Sequence, residues 1–279
     1  MAFKNAIKAI FLCGAVALMV ILFACRKGRV DKQTESQGTT FNHLLKTITT
    51  DKTTGAQRTV KYSYDGAGLI IQITTEASDV SGTSATTESF YRNAAGQLDS
   101  IGWIEKTGGI ITSVSQVSFS YDANGSLVAS RDFNQPGYPP FDSSLYLYAG
   151  CILKTRLDYR NTGNNSYNLF LQVDYEFDGN GNMTQAIFQQ FGNFQHVDTV
   201  SFQYDNKINP VPAGPLMFYL QPIYYNDYRA ANNLTRAFSP DVDSYSFEGY
   251  TYSSNNKPLY RKEITTGGTG FAETYYYYD

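Results

Sequence analysis

Asp65, Asp122 and Asp178 stand in one repeated setting, and carboxylates at fixed spacing could gather calcium or cut glycosides. The setting reads aromatic–x–aromatic–Asp–x–x–Gly–x–aliphatic: Tyr62 to Gly68 with Ile70, Phe119 to Gly125 with Leu127, Tyr175 to Gly181 with Met183. Asp178-Gly-Asn180-Gly-Asn182 opens like a calcium loop, but Met183 holds the sixth position, where glycine is required, and Gln189 the twelfth, where glutamate is required. It reads as a turn. For glycoside hydrolysis by paired carboxylates, the acidic cluster outside the repeat turns is Asp241, Asp243 and Glu248, too thin a basis for a hydrolase. His43 and His196 lie far apart, and no Cys/His cluster has zinc-ligand spacing. Cys151, beside Ile152 and Leu153, fits a small buried hydrophobe better than a nucleophile. No Gly-x-Ser-x-Gly elbow or phosphate-cradling loop is present. The expectation is a protein that is not an enzyme, with no metal and no cofactor. Trp103, Tyr138, Tyr224, Tyr225 and Tyr228, near loops or an insertion, are the candidate ligand contacts, since exposed aromatic rings can stack on sugars.

The elements that carry these residues are repeated hairpins. Aligning the second aromatic of each copy gives positions 64, 92, 121, 148, 177, 204, 252 and 278, with Arg92 replacing the aromatic in the second. The steps are 28, 29, 27, 29, 27, 48 and 26 residues, so one copy is followed by an insertion of about 20 residues. Before each turn, apolar residues alternate with polar ones: Leu169, Leu171, Val173, Tyr175 and Phe177 against Gln172, Asp174 and Glu176. That period of two marks a half-buried strand. In the turn, aspartate accepts bonds from backbone amides and glycine supplies the positive φ. Asn256 takes the glycine's place in the seventh copy. Opposite these turns run longer polar loops, including residues 77–87, 106–109, 134–143, 161–166, 192–195 and 267–270.

The expected fold is therefore all-β: antiparallel hairpin repeats forming a large twisted, curled meander sheet of about 14–16 strands. One mostly irregular or short-helical insertion, residues 206–235, interrupts it. Within it, residues 210–230 (Leu216-Met-Phe-Tyr-Leu220 and Ile223-Tyr-Tyr225) are expected to pack on the concave apolar face as a plug.

The chain's first residues give an address. Lys4 and Lys8 precede an apolar run from Ala9 to Ala24, short for a membrane span. Leu22-Phe23-Ala24-Cys25 resembles the lipobox of bacterial lipoproteins, which implies cleavage after residue 24 and lipidation of Cys25. Residues 25–40 then read as a flexible tether, and residues 41–279 as a single domain. The net charge is −3 for the whole chain and −5 without residues 1–24, which hold two lysines and no acid. No basic stripe is present, which argues against a nucleic-acid partner.

The repeats resemble the YD repeats of the RHS family. The chain as a whole, with Tyr204-Asp-Asn-Lys-x-Asn-Pro210 and Asn232-Asn-Leu-Thr235, is similar to a group of Bacteroidota YD-repeat lipoproteins. The resemblance covers residues 41–279 and implies architecture and an outer-membrane lipoprotein address, but no activity. Arg26-Lys27-Gly28-Arg29 departs from the acidic start of surface-exported lipoproteins, so the periplasmic face is at least as well supported as the surface. Asp99-Ser100-Ile101 and Asp198-Thr199-Val200 resemble the O-glycosylation acceptor pattern of that phylum, making Ser100 and Thr199 candidate modification sites. The expected function is a membrane-anchored, non-enzymatic binding or interaction module, with a glycan or an envelope protein as partner. The alternative is a periplasmic carrier of a lipid or other hydrophobic ligand in the curled sheet. An integral membrane barrel is disfavoured by the lipobox and by the polar second face of the strands.

Overall fold

The computed structural model describes residues 43–133, 142–150, 152–163, 166–192, 195–209, 232–239, 245–265 and 271–279. They form sixteen strands: β1 (Leu44–Asp51), β2 (Gln57–Tyr64), β3 (Ile70–Asp79), β4 (Gly82–Arg92) and β5 (Leu98–Thr107). Then follow β6 (Ile110–Tyr121), β7 (Leu127–Phe133), β8 (Asp142–Ala149), β9 (Ile152–Gly163), β10 (Ser166–Phe177) and β11 (Met183–Gln190). The last five are β12 (His196–Ile208), β13 (Asn232–Phe238), β14 (Tyr245–Tyr252), β15 (Pro258–Thr265) and β16 (Phe271–Tyr278). Each pairs antiparallel with its sequence neighbours, and β1 pairs with β16, so the sheet is a closed barrel.

Closure corrects the expected open, curled meander. A curled sheet would leave two edges of unpaired backbone groups, and closing removes both. The two chain ends supply the last hairpin between them. Tyr276, Tyr278 and Asp279 are the front half of the repeat, and Leu44 takes the place of its aliphatic residue, opposite Tyr278. The Asp279 amide donates to the His43 carbonyl at 3.1 Å, and the His43 ring packs 4.5 Å from that of Tyr64. The expected short-helical insertion is corrected as well. Among the described residues there is no helix, and the ends of the 206–235 segment are strand, in β12 and β13. Its middle, with the expected plug, lies outside the described residues. The loop expected over residues 77–87 is mostly strand, because β3 and β4 run on to a two-residue turn at Val80 and Ser81.

The repeated phrase is built as its chemistry requires. Asp65, Asp122 and Asp178 each accept two backbone amides of the turn, at 2.8–2.9 Å. Gly68, Gly125 and Gly181 have φ of 76°, 81° and 87°, and Asn256 has 60°. After each turn the first residue (Ile70, Leu98, Leu127, Leu153, Met183 or Pro258) is buried, and the register then slips by one residue. A β-bulge of this kind leaves the local ladder incomplete and bends the strand. Tyrosine hydroxyls fill part of that gap. Tyr64 donates to the Leu44 carbonyl, Tyr121 to Leu98, Tyr204 to Met183, Tyr250 to Leu234 and Tyr278 to Pro258, all at 2.7–2.8 Å. Each bond ties one hairpin to the one before it.

Alternation sends Val60, Tyr62, Ile73, Phe90, Ile101, Val117, Phe119, Tyr175 and Phe202 into the barrel, where they are buried, and Val173 and Ala186 there are 0 % exposed. The outward set is mixed: Ser118, Ser120, Gln172, Asp174 and Glu176 are polar, Lys61 and Glu76 form an ion pair on it at 2.8 Å, and Leu45, Tyr91, Leu145, Leu147 and Tyr277 are exposed. Deleting residues 276–279 removes three of the seven β1–β16 rungs and the Tyr278 hydroxyl bond. Gel filtration and far-UV circular dichroism should then show an aggregating chain without a cooperative melt. Gly181→Ala, where a methyl group meets nothing within 4 Å, should lower stability by about 1–2 kcal/mol through its positive φ alone. Asn256→Gly should stay within about 0.5 kcal/mol in urea unfolding.

Candidate functional site

Toward the rim opposite the repeat turns, the apolar interior gives way to charge on three adjacent strands. The register places Asp132 of β7 directly opposite Asp142 of β8, and Asp142 opposite Arg160 of β9. Asp158 stands opposite Ser144, and Arg156 opposite Tyr146 and Val173. Arg156 and Asp158 are both buried and pair at 2.8 Å, while Arg160 forms a longer ion pair with Asp142, Nε to Oδ1 at 3.7 Å. One carboxylate oxygen each of Asp132, Asp142 and Asp158 is buried without a hydrogen-bond partner among the described residues. Burial pushes the Asp132 carboxyl up to about 7; Asp142 and Asp158 add to the rise and Arg156 opposes it. Burial also raises Asp142, against the pull of Arg160. Burial works against the Arg156 charge, but Tyr175, Asp158 and Tyr146 outweigh it and hold the guanidinium above its ordinary range. Among the described residues no three His, Cys, Asp or Glu side chains are placed to hold a metal ion.

A second inward acid sits on β4. Glu88 faces Ile73 on one side and Trp103 on the other. Burial pushes its carboxyl up to about 7, opposed by the Arg58 charge and by a hydrogen bond from Trp103.

A small pocket of about 60 Å³ lies between β1–β2 and β13–β16, lined by residues including Thr47, Arg58, Val60, Tyr250, Arg261 and Thr274. That is room for a few waters. At the turn rim, an open groove of about 930 Å³ runs between the β10–β11 turn and the bases of β12 and β13, past Asp178, Asn182, Gln203, Asp205 and Asn232. Asp205 is heavily engaged there: it accepts from the Asn233 backbone and side chain and from the Tyr252 hydroxyl.

The sequence candidates do not converge. Trp103 is half-buried, packed against the core and bonded to Glu88. Ser100 is buried at 6 % exposure, and Thr199 is half-buried on the outer wall of β12. Glu248 is exposed on β14. Cys25, Tyr138, Cys151, Tyr224, Tyr225, Tyr228, Asp241 and Asp243 lie outside the described residues. Sequence reading missed Glu88, Asp132, Asp142, Arg156 and Asp158. In β9 the signal was hidden by the bulge at Lys154, which moves Arg156 and Asp158 to the inward parity that Leu153 would otherwise assign to odd positions.

No family model matches the chain, and no curated protein does. Among solved structures, a porin-like protein from Bacteroides uniformis aligns with 85 % of this chain and 96 % of its own, at a TM-score of 0.56 and 12 % identity. The chain shares that protein's fold. A second porin-like protein, from Bacteroides vulgatus, aligns with 85 % of this chain and 99 % of its own at 12 % identity, but its TM-score of 0.43 carries no argument. At such identities the likeness is one of fold alone.

Because the Glu88 carboxyl is raised from its ordinary value of 4.5 to about 7, folding favours its protonated form. That contribution is complete below pH 4.5 and disappears as pH rises through about 7. Glu88→Gln, which keeps an acceptor for Trp103, should leave the melting temperature unchanged near pH 4.5. At pH 8 it should raise stability, by at most about 3 kcal/mol.

Proposed function

We propose that this is a lipid-anchored protein of the cell envelope whose closed barrel is a non-enzymatic binding or interaction scaffold and not a pore. The observation that carries this reading is the chemistry of the two faces of the wall. A barrel that spans a membrane presents an apolar band about 25 Å tall to lipid and a polar lumen to water. Here the lumen-facing Val, Ile, Phe and Tyr side chains toward the turn rim are buried, and the outer wall carries Lys61, Glu76, Gln172, Asp174 and Glu176 among exposed Leu45, Tyr91, Leu145, Leu147 and Tyr277. A Lys or Arg in lipid would cost about 2–4 kcal/mol near the midplane, and Asp or Glu less.

The shared fold with a porin-like Bacteroides protein supports an envelope address, and the lipobox-like Leu22-Phe23-Ala24-Cys25 supports an outer-membrane lipoprotein. His43, where the described chain begins, lies on the turn rim beside Asp279, so the tether reaches the barrel there. The opposite rim is then left for a glycan or an envelope protein. The hydrophobic-carrier alternative has less support, since Tyr62, Phe90, Phe119, Tyr146, Tyr175 and Phe202 are buried in the lumen, where an acyl chain would have to lie.

With Cys25→Ser and the first 24 residues removed, the protein should be monodisperse in buffer without detergent, and the purified chain should add no conductance to planar bilayers. A requirement for detergent, or stepwise conductance, would contradict the reading.

A further inference from the structure

The β7–β8 ladder is one of the shortest in the wall, with four rungs from Ala129 and Leu145 to Asp132 and Asp142. The neighbouring β8–β9 ladder has eight. The last β7–β8 rung sets one carboxylate directly across from another on the lumen side, the parity of buried Ser130 and Ser144. Like charges directly opposite in an antiparallel pair are destabilising, and burial makes the repulsion stronger. Among the described residues, the charged groups on the lumen side near this rung can be named, Arg131 of the next rung pointing outward. Asp142 faces Asp132 from β8; Asp158, Arg156 and Arg160 lie beyond it on β9; and β6 offers the uncharged Val117. Arg156 is committed to Asp158 at 2.8 Å, and Arg160 reaches Asp142 only at 3.7 Å. Three carboxylates therefore share two guanidinium groups, and three of their oxygens lack a donor among the described residues.

We propose that this rung is a pH-operated seam in the barrel wall. A proton held by Asp132 and shared with Asp142 closes the end of the β7–β8 ladder, and loss of that proton loosens it. The proton does two things at once: it removes the like-charge repulsion, and it supplies an O–H donor to one of the orphaned carboxylate oxygens. The raised Asp132 carboxyl, at about 7 against an ordinary 3.8, sets the direction. The seam is closed in mild acid and loosens as pH rises through neutrality. Because the rung ends at the rim away from the tether, the change is confined to the face left for partners. It does not depend on whether that face binds a glycan or a protein.

The test is hydrogen–deuterium exchange of the full chain at pH 5.5 and 8.0, corrected for the intrinsic rate. Peptides covering residues 129–132 and 142–145 should lose at least tenfold in protection at pH 8.0, relative to the β9–β10 ladder. In Asp132→Asn, and separately in Asp142→Asn, protection should stay the same at both pH values. No pH-dependent loss in the natural chain would overturn the proposal, as would an equal loss in the two variants. A carbon-13 carboxyl titration placing Asp132 in the ordinary aspartate range would overturn it too.

Discussion

Everything in this barrel depends on the first strand meeting the last. A meander of sixteen strands with one apolar face has two exposed edges, and each edge is a row of unpaired amides and carbonyls. Pairing β1 with β16 removes both at once and fixes which face is inside. Because side chains alternate with a strict period of two, that choice propagates around the ring, and a slip of one residue anywhere would turn a whole strand inside out. The termini are therefore structural elements. Leu44 fills the position that Ile70, Leu98 and Leu127 fill elsewhere, and Tyr278 makes the hydroxyl-to-carbonyl bond that Tyr64 and Tyr121 make in their own hairpins.

The same closure explains the chemistry of the interior. Large aromatic side chains from opposing walls fill the space near the turn rim, where each hairpin contributes an inward pair. Toward the other rim the inward positions change to Arg58, Glu88, Asp132, Arg156 and Asp158, and the interior must hold charge away from water. Isolated buried charges are costly, so these groups either pair, as Arg156 and Asp158 do, or take up protons, as the raised carboxyls of Glu88 and Asp132 indicate. The wall carries charge on its outer face while the lumen is packed with apolar side chains near the turn rim, in a closed sheet that shares its fold with a porin-like protein.

Much of the local structure was legible in the sequence because the repeat encodes it in single residues. Aspartate as the amide acceptor, glycine as the left-handed residue and Asn256 as its substitute all appear as their chemistry requires. What was not legible is long-range. Pairing of residues 44 and 278 leaves no local trace, so the sheet read as open. The bulges hide parity, which is why Arg156 and Asp158 did not register as lumen residues. Tyr250 displaces Tyr252 as the hydroxyl that ties the seventh unit to the sixth, and Tyr252 bonds Asp205 instead. Trp103 looked like an exposed platform because Gly108 and Gly109 follow it closely, but β5 runs on to Thr107 and turns the ring inward.

The central claim is that the outer wall faces water and the lumen is packed, and thiol accessibility reads it most directly. Single cysteines would be placed outside, at Ser118 and Gln172, and inside, at Val117 and Val173, in a chain otherwise carrying Cys151→Ala. Each would then be exposed, in membranes bearing the anchored protein, to a polar maleimide that does not enter lipid. The outside pair should label at rates close to those of a free thiol, and the inside pair should label only after denaturation. Rapid labelling at 117 and 173 with protection at 118 and 172 would mean a water-filled lumen and a lipid-facing wall, and would contradict the claim outright.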